Sequence, residues 1–384
     1  MIRAGSEEFC RGLAADLVER RERVNRIMKE AGVSALLFDR GANAFEGWLF
    51  GYGGRVLYIP GQNPKAISGG YIPEGRSEPV THWMPRPDGI DLLSGLSAEE
   101  LREAAGTGKK IGTMYPDQMH ASLARFLAEN VPEIEIVDMT RILNMERSRL
   151  SAFETDLMED AARRHDLLFG AIPAMLVEGV YERDLVQQIR YTASAVSDGD
   201  CGEFYHTLLD VFSGREGQWD EDEPLKYPGR MLSYGDLVQI KAQAAIAGGY
   251  YGVLGRCFSI GEPSAETLAA WDVSVKAEDA AAALLVPGSS IRDAVNAGRA
   301  VIADAGYETP EMCNIYGIGN DYCIFPAAGA PEEDWPLEEG TVLAVGFPAA
   351  KASGSFPAAC WDAFRVQPGG AKRLSRADRT IRSV

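Results

Sequence analysis

Residues 235–258 read GDLVQIKAQAAIAGGYYGVLGRCF. Two apolar runs flank a pair of glycines, the pattern of two strands joined as a hairpin. Lys241 stands inside the first run and Val253 inside the second. A lysine in a buried-type strand either snorkels to the surface from a strand end or faces a pocket, so the hairpin raises a question of chemistry as well as of fold.

Working outward, GREGQWDEDEP (214–224) is an irregular acidic stretch. Before it, apolar residues recur at helical spacing over about 150–176 and again over 181–196. Beyond the hairpin, two more helices fill 264–306. NIYGIGN (314–320), GTVLAVGF (340–347) and AACWDAFRV (358–366) then alternate short apolar runs with Gly and Pro, as antiparallel strands do. Helices and strands in blocks indicate an α+β domain. The first 145 residues have another texture: a helix over 8–31, strands at VSALLFD (33–39), RVLYIPG (55–61), PKAISGG (64–70), GKKIGTMY (108–115) and IEIVDM (134–139), and a helix over 120–130. This is an α/β unit, and the expected domains are 1–145 and 146–384.

The chain has 384 residues, 46% hydrophobic and 24% charged, and its 38 basic against 56 acidic residues give a net charge of −18. Such a surface repels nucleic acid and anionic lipid, so neither is an expected partner. No apolar run of about 18 residues is present, so no transmembrane helix is expected. The six cysteines form no CxxC pair, and the start is a charged amphipathic helix without an apolar signal core. Both point to reduced thiols and a cytoplasmic protein. There is no GxSxG elbow, P-loop or HExxH, and GYGG (51–54) is a turn rather than a dinucleotide fingerprint.

Six fragments occur in the order found in the pita-bread superfamily of methionine aminopeptidase, aminopeptidase P, prolidase and creatinase. Arg147, Ser148 and Glu154 resemble its RSxxE; YGDLVQIK (234–241) its GDxVxxD; GGYYGVLGRCFSIG (248–261) its GYxxDxTRTFxxG. YGIGN (316–320) resembles HGIG, LEEGTVLAVGFP (337–348) resembles LxxGMVxxxEP, and ACWDAFRV (359–366) resembles RxEDxxxV. The resemblance implies a C-terminal pita-bread domain, an N-terminal α/β domain of the creatinase type, and a homodimer. In the metal-dependent members two Asp, one His and two Glu hold two divalent ions. The matching positions here are Lys241, Val253, Tyr316, Gly346 and Trp361, none a ligand for a hard divalent ion, so no metal and no cofactor is expected. The hairpin is one residue longer than usual. The metal-free creatinase branch also reads GYY before its Arg, but its catalytic His falls near Asp222 here and its guanidinium-gripping Glu positions fall at Gly255 and Gly346. Creatine is therefore not the expected substrate.

The candidate chemistry follows. Lys241 could supply the missing positive charge, polarise a carbonyl or pair with a carboxylate; desolvated, it could act as base or Schiff-base nucleophile. Tyr316 is a candidate proton donor, and His206 in GEFYHTLLD a candidate general base. Asp222 and Cys323 are further catalytic candidates, against the plainer readings of a solvated loop and a core thiol. His165 is expected on a solvated helix face. Arg256, Trp361, Tyr250 and Tyr251 are candidate substrate-binding residues, Arg256 as a structural or anion-binding partner. The expectation is a metal-independent enzyme hydrolysing a C–N bond of a small polar metabolite. A lyase or isomerase using Lys241, and a non-catalytic binding protein reusing the pocket, are the competing readings.

Overall fold

The computed structural model describes residues 6–39, 45–51, 54–68, 71–72, 89–197, 208–214, 229–309, 314–321, 336–351 and 356–384. They divide into two compact units, Gly12–Arg147 and a larger one of Met1–Arg11 with Ser148–Val384.

In chain order the first elements are α1 (Glu7–Ala31), β1 (Ala35–Phe38), α2 (Phe45–Phe50), β2 (Val56–Tyr58), β3 (Lys65–Ile67), β4 (Tyr71–Ile72), β5 (Asp91–Leu93), β6 (Leu96–Ser97), α3 (Ala98–Ala105), β7 (Lys110–Thr113), α4 (Ala121–Asn130), β8 (Glu135–Asp138) and α5 (Thr140–Ser148). The main sheet of the smaller unit runs β5-β3-β2-β1-β7-β8. β1 lies inside it, antiparallel to β2 and parallel to β7. Leu36 and Phe38 pack with Val24, Met28 and Trp48 on one side; Ala35 and Leu37 pack with Leu101, Leu123 and Phe126 on the other. Burial on both faces explains why this strand reads as an unbroken apolar run. A capping box starts α3: Ser97 Oγ accepts from the Glu100 N–H, and the Glu100 carboxylate accepts from the Ser97 N–H.

The larger unit contains α6 (Ala152–Ala171), α7 (Glu182–Val196), β9 (Leu208–Gly214), β10 (Leu237–Ala247), β11 (Tyr250–Ser259), α8 (Ala265–Leu284), α9 (Ile291–Asp304), β12 (Ile315–Gly317), β13 (Val342–Gly346), β14 (Trp361–Arg365), β15 (Lys372–Arg373) and β16 (Arg382–Ser383). Its sheet runs β12-β13-β14-β11-β10-β9, with β15 on β14 and β16 on β11. Val238, Ile240, Ala242, Leu254 and Phe258 pack against Leu168, Phe169, Leu185 and Ile189 of α6 and α7. Leu343, Val345 and Phe364 pack with Trp271, Ala277, Ala281, Ala294 and Ile302 of α8 and α9. The helices thus cover one face, and alternation along each strand turns Lys241, Gly255, Trp361 and Gly346 to the other. The extra hairpin residue is taken up by a register shift between Ala245 and Ala247, a bulge that leaves the pairing of Lys241 with Gly255 intact. Among the described residues no helix is long and apolar enough to cross a membrane.

His165 is not solvated. It is fully buried, its Nδ1 lies 2.8 Å from the Ala161 carbonyl, and burial lowers its pKa to about 4, so the ring is neutral. It fits because Gly252 lies against it: a Cβ there would come within 2.7 Å of His165 Cε1.

Behind the sheet, Arg256 ties three segments together. Its Nη2 donates to both Asp362 oxygens (3.0 and 3.1 Å), Nη1 to the Trp361 carbonyl (3.1 Å) and Nε to the Asp378 carbonyl (2.7 Å). Glu278 of α8 joins the cluster, accepting from Arg379 Nη1 at 3.0 Å. Burial, reinforced by the Asp362 charge, pushes the Glu278 pKa up to about 8. The folded state therefore holds a proton there that the unfolded chain releases near the ordinary carboxyl value. This contribution to stability is fully present below that value and is lost as pH rises through about 8. Urea unfolding of the wild type and Glu278→Gln between pH 5 and 9 should show the wild type losing stability relative to the variant as pH rises. Parallel profiles would contradict this.

Candidate active site

β10, β11, β14 and β13 bring one row of residues together. Lys241 pairs with Gly255, Gly255 with Trp361, and Trp361 with Gly346. In the next row Gln243 pairs with Val253, and Tyr316 of β12 with Ala344. All five positions matched to the superfamily's metal ligands therefore share one face of one sheet.

Trp361 fills this face. It is 2% exposed. A Cβ on Gly346 would overlap Trp361 Cδ2 and lie 2.5 Å from Cε2; one on Gly255 would lie 2.8 Å from Trp361 Cβ. The indole thus occupies space that two glycines leave. The Lys241 ammonium lies 3.7 Å from the Trp361 ring centroid and 5.3 Å from that of Tyr316, and the two rings are 6.1 Å apart. Aromatic faces attract an ammonium by about 0.5–2 kcal/mol each, depending on desolvation. Lys241 is half-buried, so it neither snorkels fully into water nor is sealed in.

The polar groups around it are satisfied by one another. Tyr316 donates its hydroxyl proton to Gln243 Oε1 at 2.9 Å. Gln239 Nε2 donates to the Ala359 carbonyl at 2.8 Å, and its Oε1 accepts from the Ala359 N–H at 3.1 Å. Neither glutamine was singled out from sequence, although Gln239, Lys241 and Gln243 form a period-two polar stripe in an otherwise apolar strand.

Lys241, Tyr316 and Trp361 are brought together as expected. Tyr251 lies on the same side of β11 by alternation, its N–H donating to the Gly319 carbonyl at 2.7 Å. Arg256 and Tyr250 are not brought there. Arg256 is held on the helix-bearing face by Asp362, and Tyr250 donates to Glu154 Oε1 of α6 at 2.7 Å; both sit at even positions of a strand whose odd positions face Lys241. His206, Asp222 and Cys323 lie outside the described residues.

This donor set does not fit the family's divalent ions. An ammonium, an isopropyl group, a phenol, a glycine and an indole converge where hard cations need carboxylate or imidazole, and the ammonium would repel a cation. Among the described residues, the one group of three metal-ligand side chains is Glu278, Cys360 and Asp362. It lies on the helix-bearing face, already engaged by Arg256 and Arg379.

Gly346→Ala should destabilise the fold by about 1–3 kcal/mol through overpacking, and Trp361→Ala by about 3–5 kcal/mol through the cavity it leaves. Combined, the two should cost less than their sum, because the cavity accepts the methyl group. Chemical denaturation of all three variants gives the coupling; strict additivity would contradict this packing.

Residues 156–363, more than half of the chain, match Metallopeptidase family M24. Among curated relatives, the probable dipeptidase PepE of Mycobacterium tuberculosis is 26% identical over 59% of this chain and 56% of its own length. A creatinase of a Bacillus species is 25% identical over 50% of this chain and 46% of its own. The matched segment thus spans only about half the length of these relatives. Among solved structures, dipeptidase PepE of Mycobacterium ulcerans superposes with a TM-score of 0.75 at 21% identity, covering 96% of this chain and 98% of that one. X-Pro aminopeptidase of Thermotoga maritima gives a TM-score of 0.74 at 17% identity, covering 95% and 99%. The chain has the two-domain pita-bread fold and belongs to metallopeptidase family M24.

Proposed function

We propose that this chain is a metal-independent hydrolase that cleaves a C–N bond in a small polar metabolite bearing a carboxylate or carbonyl. The observation that carries the reading is the Lys241 ammonium, half-buried and held 3.7 Å from the Trp361 ring centre on the face where the family's ligands would stand. A fixed ammonium on a partly dry surface can pair with a substrate carboxylate or stabilise charge developing on a carbonyl oxygen. Its reach is restricted by the two rings, so less ordering is lost when a substrate binds. The similarity to a probable dipeptidase and a creatinase supports a C–N bond as the target. Proton transfer falls to Tyr316 or His206, with Asp222 and Cys323 as further candidates. Tyr316 would have to exchange its bond to Gln243 for one to the substrate.

One observation favours a second reading, a non-catalytic binding protein. Trp361 packs into the space of two glycines, and the Tyr316 proton is committed to Gln243, as in a site repacked for binding alone.

Purified chain should be assayed against dipeptides and small amidines by amine release, with and without a chelator and with added Mn²⁺, Co²⁺ or Zn²⁺. The hydrolase reading expects turnover indifferent to chelation, and a fall of about 10²–10³ in kcat/KM for Lys241→Met. Ligand-induced thermal stabilisation lost in Lys241→Met, without turnover, would select the binding reading. Turnover that needs stoichiometric divalent metal would overturn both.

A further inference from the structure

On the helix-bearing side of the larger unit, an open groove of about 470 Å³ is lined by Asp279 of α8, Phe364 of β14, and Gln367, Gly370, Arg373 and Arg379. Two guanidiniums lining one groove stand out in a chain of net charge −18. Both are mostly buried, Arg373 at 28% and Arg379 at 23% side-chain exposure.

Neither arginine is saturated. Arg379 Nη1 donates to Asp279 Oδ1 (2.7 Å) and Glu278 Oε2 (3.0 Å), and Nη2 to Asp279 Oδ2 (3.2 Å); no hydrogen bond among the described residues uses its Nε. Arg373 Nη1 donates to the Ala377 carbonyl (3.0 Å) and lies 3.6 Å from Asp362, leaving Nη2 and Nε without a hydrogen bond among the described residues. The charges around the groove do not balance either. Of the groove's lining residues, Arg373 and Arg379 are cationic and Asp279 is the carboxylate. Two cations therefore meet one carboxylate in the lining. The lip is kept bare: Gly369 and Gly370 have φ of +87° and +116°, and a Cβ on either would meet nothing within 4 Å.

We infer that this groove binds a small oxyanion, a phosphate or a carboxylate, between Arg373 and Arg379. The planar forks match two oxygens of such an anion, and the exposed Asp279 carboxylate is the internal competitor the anion displaces or joins. The shared chemistry is an oxyanion, whether free in solution or carried on a larger metabolite; inorganic phosphate and acetate are the probes for the two oxyanion classes.

Isothermal titration of the full chain at pH 7 and matched ionic strength should show saturable binding of phosphate or acetate beyond any effect of chloride. Arg373→Gln should weaken it about tenfold, and Asp279→Asn, at an exposed position, should tighten it. Lys241→Met should leave the Arg373-dependent component of binding unchanged, which separates this groove from the site proposed above. Absence of saturable binding for both anions, an unchanged affinity in Arg373→Gln, or loss in Lys241→Met would each overturn the inference.

Discussion

The Trp361 indole lies against two glycines on one side and an ammonium on another, and the arrangement of the larger unit's sheet depends on that contact. β14 lies between β13 and β11, so any side chain at Gly346 or Gly255 would compete with the ring for the same space. Expelling the ring would take the aromatic face away from the Lys241 ammonium. Size and charge are therefore linked across four strands. The lysine is tolerable because the tryptophan is there, and the tryptophan fits because the neighbouring positions are bare.

The opposite face repeats this logic with ions. Arg256 follows Gly255, and Asp362 follows Trp361, so the bidentate ion pair lies directly behind the indole contact. A slip of one residue between β11 and β14 would exchange the faces, driving the indole among the helices and the ion pair toward Lys241. Buried ion pairs add little net stability, but breaking one leaves a stranded charge that costs several kcal/mol. The pair thus acts chiefly on register, and the front and back of the sheet fix each other. On that same face burial, reinforced by the Asp362 charge, raises the Glu278 pKa, and Arg379 bonds both Glu278 and Asp279.

The fold was largely readable in the sequence because its signals are local or ordered along the chain. The helices of the larger unit showed their period, and its strands lay between Gly and Pro. The strand at 33–39 was legible because burial on both sides left it uniformly apolar. Short elements were missed where the pattern is brief: α2 has six residues, and α3 follows a serine whose capping partner three residues on was the available clue. At the site, motif order located Lys241, Val253, Tyr316, Gly346 and Trp361, but order alone could not say which neighbours share their face. Tyr250 and Arg256 belong to the same motif as Val253, and the alternation of β11 sends them to the other side. His165 looked solvated because charges flank it, yet its own position is buried against Gly252; neighbours along a helix do not share one environment.

Replacing divalent ions by one ammonium limits what such a site can do. A lysine brings a single positive charge and hydrogen-bond donors, and part of its field is already directed at the Trp361 and Tyr316 rings. It cannot bring the pKa of a bound water down to near neutrality as a Lewis acid does, so a water nucleophile would need a separate base. Among the described residues the polar groups on this face include Tyr316, already donating, Gln239 and Gln243, whose amides are not useful bases, and the exposed Asp210 of β9, which pairs with Lys241 across the strand. In the hydrolase reading the base would come from Asp210 or from one of the proposed candidates His206, Asp222 and Cys323. The binding reading needs no base, and in it Lys241 supplies the positive charge for an anionic ligand. The proposed reading therefore turns on which of these groups can take a proton from a water beside Lys241.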